Sequence, residues 1–222
     1  MIGKVLVAED FDSVSIAVTK TLEELQISEL HHSKYCDDAL LKIKKALFEK
    51  APFDLLITDL SFLEDGRQSR INTGEMLIAE VRRIQPELKI LVFSVEDKPF
   101  KIKSLFDNYG IAGYIFKGRN SIPQLKQAIS ELEKGGKPYL SPELSNIRSS
   151  NGVSEIDEYD ITLLKYLALG LTQNEISAKF QQTGISPSSR SAVEKRINRL
   201  KIHFMANNSV QIVVMAKDLG FI

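Results

Sequence analysis

The sequence predicts an α/β chain: a doubly wound parallel sheet of five strands, followed by a small all-α domain of four helices. Three observations point there. Over the first 135 residues, short apolar runs alternate five times with longer amphipathic ones, as strands do when crossover helices bury both their faces. Residues 141–156, after the Gly135-Gly-Lys-Pro138 break, are rich in Ser, Asn, Gly and Pro, which is linker composition. From residue 157 onward no segment alternates with strand period, and the apolar residues recur at helical spacing. The expected boundaries are 1–134 for the α/β domain, 135–156 for the linker and 157–222 for the helical domain.

The elements follow in order. Val5-Leu-Val-Ala8 is a short apolar strand, and residues 14–27 place Ile16, Val18, Leu22, Leu25 and Ile27 near helical spacing. Residues 29–35 form a weaker strand, and 37–49 a helix with Ala39, Leu40, Ile43, Ala46 and Leu47 inward. Asp54–Thr58 is a buried strand, and Gly74–Ile84 a helix whose core face includes Met76, Leu77, Ile78 and Val81. The strand Lys89–Phe93, a helix over 99–108 and the strand Ile111–Phe116 come next. Ser121–Glu133 closes the series, with Ser121 as N-cap and Pro123 in the first turn, positions those residues favour.

Composition bounds the function. The 222 residues are 43% hydrophobic and 26% charged, with 29 basic and 29 acidic side chains. That is a globular composition with no bulk charge for nucleic acid or membrane. One cysteine, Cys36, allows no internal disulfide, which fits a reducing compartment. His31, His32 and His203 give no zinc spacing. The N-terminus has no signal-peptide pattern, and no apolar run approaches the roughly 20 residues of a membrane span. A cytoplasmic protein without a membrane partner is expected.

In a doubly wound sheet, ligands bind beyond the carboxyl ends of the strands. The residues there are Glu9-Asp10, Asp59, Ser94 and Lys117. Three converging carboxylates repel one another, and a hard divalent cation relieves that; Mg²⁺ suits a site of few carboxylates and water. An ammonium and a hydroxyl are partners for a tetrahedral oxyanion. Together these groups make a phosphoryl-transfer pocket, and a carboxylate there can itself be the nucleophile.

These residues resemble the receiver domain of two-component response regulators, whose fold is flavodoxin-like, over residues 2–134. The resemblance implies that Glu9 and Asp10 are the metal-binding acidic pair, Asp59 the phosphoacceptor, Ser94 the switch hydroxyl, Tyr114 the switch aromatic and Lys117 the phosphate-binding lysine. It also implies a metal ligand in the backbone carbonyl of Ser61. Tyr114 is expected to turn inward on phosphorylation. Two departures stand out. The segment Phe62–Thr73 before Gly74 is long and polar, with Glu64, Asp65, Arg67 and Arg70. Lys117 is followed by Gly118 rather than the family's common proline.

The helical segment carries a local charge. Residues 172–205 hold six basic side chains against two acidic ones, whereas residues 1–150 hold 21 against 22. A capping box, Thr172 with Glu175, opens one helix. The next carries an apolar stripe at Val193, Ile197, Leu200 and Phe204. A helix–turn–helix with a basic second helix has the footprint of a major-groove reader. Leu169–Ser177, Ser189–Ile197 and Asn208–Gln211 resemble the LuxR/NarL-type helix–turn–helix DNA-binding domain. By position, Glu194, Lys195 and Asn198 are expected to face bases, and Arg190, Arg196 and Arg199 phosphates. The turn is extended by Gln181–Pro187 relative to that family. A last helix, about 208–218, is apolar at Val210, Ile212, Val213, Val214 and Met215 and offers a dimer face.

The reading that follows is a bacterial response regulator, not an enzyme. A cognate histidine kinase or small phosphodonor phosphorylates Asp59 with Mg²⁺, and the phosphorylated chain pairs as a homodimer on double-stranded DNA. Two alternatives remain. Asp10-Phe-Asp12 after an apolar strand also fits a haloacid-dehalogenase-like phosphatase with Asp10 as nucleophile, although Ser13-Val14 replaces that family's Gly-Thr. The helical domain could instead bind protein.

Overall fold

The computed structural model describes residues 2–63, 66, 69–145, 147 and 156–222. Glu64, Asp65 and Arg67 of the polar loop, and residues 146 and 148–155 of the expected linker, lie outside these residues. The chain divides into two compact units: Met1–Asp97 with Ile102–Ser145, and Asn146–Ile222 with Lys98–Lys101.

The first unit alternates strands and helices: β1 (Lys4–Ala8), α1 (Asp12–Glu24), β2 (Glu29–Ser33), α2 (Cys36–Phe48), β3 (Leu55–Thr58), α3 (Gly74–Ile84), β4 (Lys89–Ser94), α4 (Pro99–Tyr109), β5 (Gly113–Phe116), α5 (Ser121–Glu133) and β6 (Tyr139–Leu140). The sheet order is β2-β1-β3-β4-β5-β6, and every pair is parallel. Chain direction across the sheet reverses beside β1, so a crevice opens between the carboxyl ends of β1 and β3. Alternate strand residues build one core. Val5, Val7, Leu55, Ile57, Leu91, Phe93 and Ile115 pack with Val18 and Leu22 of α1 and Leu125, Ala128 and Ile129 of α5. Leu6, Leu56, Ile90 and Val92 point to the opposite face and are equally buried.

The sheet has six strands rather than the expected five. Tyr139 and Leu140 pair with Gly113 and Tyr114. Ser141 is buried; its hydroxyl accepts from the Phe116 amide at 2.9 Å and donates to Gln124. The ordered unit therefore runs through Ser145, into the segment expected to be linker. A two-residue strand lacks the length for a period to show in sequence.

Three side-chain expectations change. Ile16 and Met76 are exposed. A helix turning every 3.6 residues brings Gly74, Leu77, Ile78 and Val81 inward and leaves Met76 outside. Asn120, not Ser121, occupies the N-cap position of α5, and it makes no side-chain capping bond.

The second unit contains α6 (Glu158–Ala168), α7 (Gln173–Gln182), α8 (Arg190–His203) and α9 (Ser209–Leu219). Each starts on a side chain that caps it: Asp157, Thr172, Ser189 and Asn208. The Thr172–Glu175 capping box is present. Its core gathers Leu163, Leu164, Ile176, Phe180, Val193, Ile197, Leu200, Phe204 and Ile212, so the stripe read on α8 is its inner face. Among the described residues no helix is long and apolar enough to cross a membrane.

Candidate functional site

Backbone pairing places the site. The Asp59 amide donates to Ala8 O at 3.1 Å, the Glu9 amide to Ser33 O at 3.0 Å, and the Lys117 amide to Ser94 O at 2.8 Å. Each functional residue is thus the next rung of a ladder whose strands end there. Glu9, Asp10 and Asp59 offer carboxylate oxygens that all lie within 4.8 Å of one another. Lys117 Nζ donates to Glu9 Oε2 at 2.7 Å and to Asp59 Oδ2 at 2.5 Å.

Three acids against one ammonium leave the cluster short of positive charge. Burial is the main cause that raises the Glu9 carboxyl above its ordinary 4.5, against the opposing pull of Lys117. Asp10 Oδ1 is buried with no hydrogen-bond partner. A buried, unpartnered anionic oxygen is expensive, and a divalent cation satisfies it. The donor set, oxygen only and mostly carboxylate, suits Mg²⁺. These residues therefore fit the expected metal.

Gly74 explains why a small residue opens α3. A Cβ there would lie 1.8 Å from the Asp59 carbonyl oxygen. The Gly74 amide donates to Leu60 O at 2.9 Å, and Ser61 forms an antiparallel bridge with Thr73. The backbone just past Asp59, including Ser61, is held by the returning chain.

Ser94 is buried at the end of β4, and its Oγ accepts from the Glu96 amide at 3.4 Å. Tyr114 is fully buried, and its hydroxyl donates to Glu96 O at 2.7 Å. Burial pushes this phenol far above its usual range. The inward position expected to follow phosphorylation is already taken in this structure. Asp12, the second aspartate of the Asp10-Phe-Asp12 motif and the acid that a phosphatase would need, pairs instead with Lys34 at 2.6 Å on the surface. Cys36 is buried near the acids, and burial first of all pushes its thiol up to about 12, so it is no nucleophile at neutral pH.

On the second unit, Arg190, Glu194, Lys195, Asn198 and Arg199 are exposed on α8. Arg196, expected to favour phosphates, does otherwise. Its Nε donates to Asp160 Oδ1 at 2.5 Å, its Nη2 to Asp160 Oδ2 at 2.9 Å and to Asp157. Asp160 is buried and requires a partner, so Arg196 ties α8 to the start of α6. Asp157 and Asp160 form a capping box that sequence reasoning missed, and no local pattern signals the arginine from a distant helix. Tyr159 Oη donates to Pro187 O at 2.8 Å, which fastens the extended turn to the same helix.

Relatives agree with this architecture. No protein-family model matches the sequence. The chain is 27% identical over 143 residues to the response regulator GacA of Pseudomonas aeruginosa, covering 64% of this chain and 60% of that protein. It thus spans less than two thirds of the length of that curated relative. The RcsB response regulator of Salmonella typhimurium superposes over 96% of this chain and 98% of its own, with a TM-score of 0.69 at 21% identity. The chain has the fold of RcsB. RcsB from Salmonella enterica serovar Typhimurium bound to promoter rprA with the phosphomimetic BeF3⁻ covers 97% of this chain and 98% of its own, with a TM-score of 0.64 at 20% identity. Its isolated REC domain covers 66% of this chain and 99% of its own, with a TM-score of 0.54 at 23% identity.

Proposed function

We propose that the chain is a phosphorylation-regulated, DNA-binding response regulator of a two-component system that controls transcription. The observation that carries the reading is the meeting of Glu9, Asp10, Asp59 and Lys117 at the sheet's switch point. An Asp59 carboxylate oxygen attacks the phosphorus of a phosphohistidine or a small phosphodonor. The bond from phosphorus to the donor breaks, its electron pair leaves with the donor, and an acyl phosphate remains on Asp59. Glu9, Asp10, Asp59 and the Ser61 carbonyl would hold Mg²⁺, which would shield the gathering negative charge. Lys117 moves its donors from the carboxylates to the phosphoryl oxygens, and Ser94 supplies a hydroxyl. Tyr114, buried and already bonded to the Glu96 carbonyl, couples the change to the segment that follows β4.

The output is duplex DNA. Arg190 and Arg199 serve phosphates, while Glu194, Lys195 and Asn198 face bases. Val210 and Val214, one helical turn apart and 74% and 52% exposed, supply the face on which two chains pair. The place of work is the cytoplasm.

The deciding experiment treats the full chain with acetyl phosphate and Mg²⁺ and measures intact mass. One phosphoryl group is expected on the unaltered protein and none on Asp59→Asn. An Asp59→Asn protein that still turns over phosphate esters would overturn the reading in favour of a phosphatase centred on Asp10.

A further inference from the structure

We propose that the backbone amide of Leu63 is a positioning group of the cation site, holding Asp10 so that its second oxygen faces the metal. This rests on the reading of the site given above. Its basis is a pattern across the three acids. Glu9 Oε1 accepts from the Phe11 amide at 3.1 Å. Asp59 Oδ1 accepts from the Leu60 and Ser61 amides at 2.5 and 3.3 Å. Asp10 Oδ2 accepts from the Leu63 amide at 2.8 Å. Each carboxylate therefore has one oxygen fixed by backbone. The other oxygens of Glu9 and Asp59 share Lys117, whereas Asp10 Oδ1 has no partner and is buried. A carboxylate is planar, so anchoring Oδ2 sets the direction of Oδ1.

The Leu63 donor differs in kind from the others. The Phe11, Leu60 and Ser61 amides lie within two residues of the acid they hold. Leu63 is 53 residues from Asp10 and belongs to the long segment between β3 and α3. The returning end of that segment is pinned independently. The Arg70 and Ile71 amides donate to the Asp37 carboxylate at 3.0 and 3.2 Å, and the Ile71 side chain is buried. The Ser61–Thr73 bridge closes its base. The Leu63 side chain is 68% exposed and adds little packing, so the amide is its contribution. Partners that orient a metal ligand commonly carry 10–100-fold in metal affinity.

Because the group is an amide, proline deletes it and alanine keeps it. Mg²⁺ is titrated calorimetrically into the unaltered full chain, Leu63→Pro and Leu63→Ala, with metal-free melting as a check on folding. Leu63→Pro is expected to bind Mg²⁺ about tenfold more weakly, Leu63→Ala within about twofold, and all three to melt alike without metal. In the unaltered protein, the Leu63 amide is also expected to exchange with solvent more slowly once Mg²⁺ is added. That readout stands even if the proline variant does not fold. Equal Mg²⁺ affinity in Leu63→Pro, an equal loss in Leu63→Ala, or a Leu63 amide whose exchange ignores Mg²⁺ would each overturn the inference alone. An unaltered protein that binds no Mg²⁺ would overturn the cation reading and this inference together.

Discussion

At Glu9 and His32 the fold changes the affinity of a single side chain for a proton, with opposite consequences. Glu9 holds its proton to a higher pH in the folded chain than the ordinary 4.5. Its contribution to stability is therefore complete below that pH and is lost as pH rises through the folded value. Ionised Glu9 is also the form that binds a cation. The stabilisation given by saturating Mg²⁺ should thus be larger at about pH 7 than at about pH 5, and Glu9→Gln should remove most of it. Melting curves with and without Mg²⁺ at both pH values check this, each kcal/mol appearing as about 2–4 °C. His32 behaves in the reverse sense. Its ring nitrogens lie 3.2 Å from Ser15 Oγ and 3.0 Å from Thr19 Oγ1. Burial first, then Lys42 and His31, lower it below 6.5. The unfolded chain takes up that proton first, so this contribution is present above about pH 6.5 and falls as the solution is acidified. His32→Gln should flatten metal-free stability between about pH 5 and pH 6.5. An unchanged slope would place the acid sensitivity elsewhere.

Elements were more legible than the contacts between them. Strand ends could be read because apolar runs stop where charge begins, as at Ala8-Glu9 and Thr58-Asp59, and those stops marked the site. The inner stripe of α8 was legible because four apolar residues at spacings of four, three and four allow only one face. Charge alone did not reveal which arginine on that helix stays free, since Arg196 is committed by Asp160 of α6 and by Asp157, which caps it. Nor could pattern show that a residue of the polar loop meets Asp10. Such pairings depend on long-range geometry that no local period encodes. The distinction within α8 has a measurable result. Arg196→Ala leaves the buried Asp160 unpaired and should destabilise the helical unit by about 3 kcal/mol. Arg190→Ala, on an exposed position, should change stability by less than about 0.5 kcal/mol while reducing the salt slope of DNA binding by about one. Denaturant unfolding and a salt titration of DNA affinity separate the two. If Arg190→Ala left the salt slope intact, this residue would not meet a phosphate.

For the whole molecule, net charge conceals how charge is distributed along the chain. The chain is neutral overall, yet six basic side chains face two acidic ones within residues 172–205. The field at α8 is local, and at physiological salt it is screened within about 8 Å. On the proposed reading a single domain would make few phosphate contacts and bind with modest affinity, because each contact contributes separately to counterion release. Two copies on one duplex add their contacts, and the second binds at the effective concentration set by the first. On the proposed reading, pairing would be the natural lever for a phosphate signal: a small bias toward the paired form would be amplified at the DNA. Val210 and Val214 are where this lever can be cut without touching either site. Val214→Glu places a charge on the proposed dimer face and should weaken binding to a two-half-site duplex by at least about tenfold, a loss of roughly 1.4 kcal/mol. Affinity for a single half-site should stay within about twofold. BeF3⁻ with Mg²⁺ should tighten binding of the unaltered protein to the double site and leave Val214→Glu unmoved. Equal losses on single and double sites would show that Val214 supports the reading helix itself. A double-site affinity indifferent to BeF3⁻ in the unaltered chain would separate DNA binding from the phosphate site.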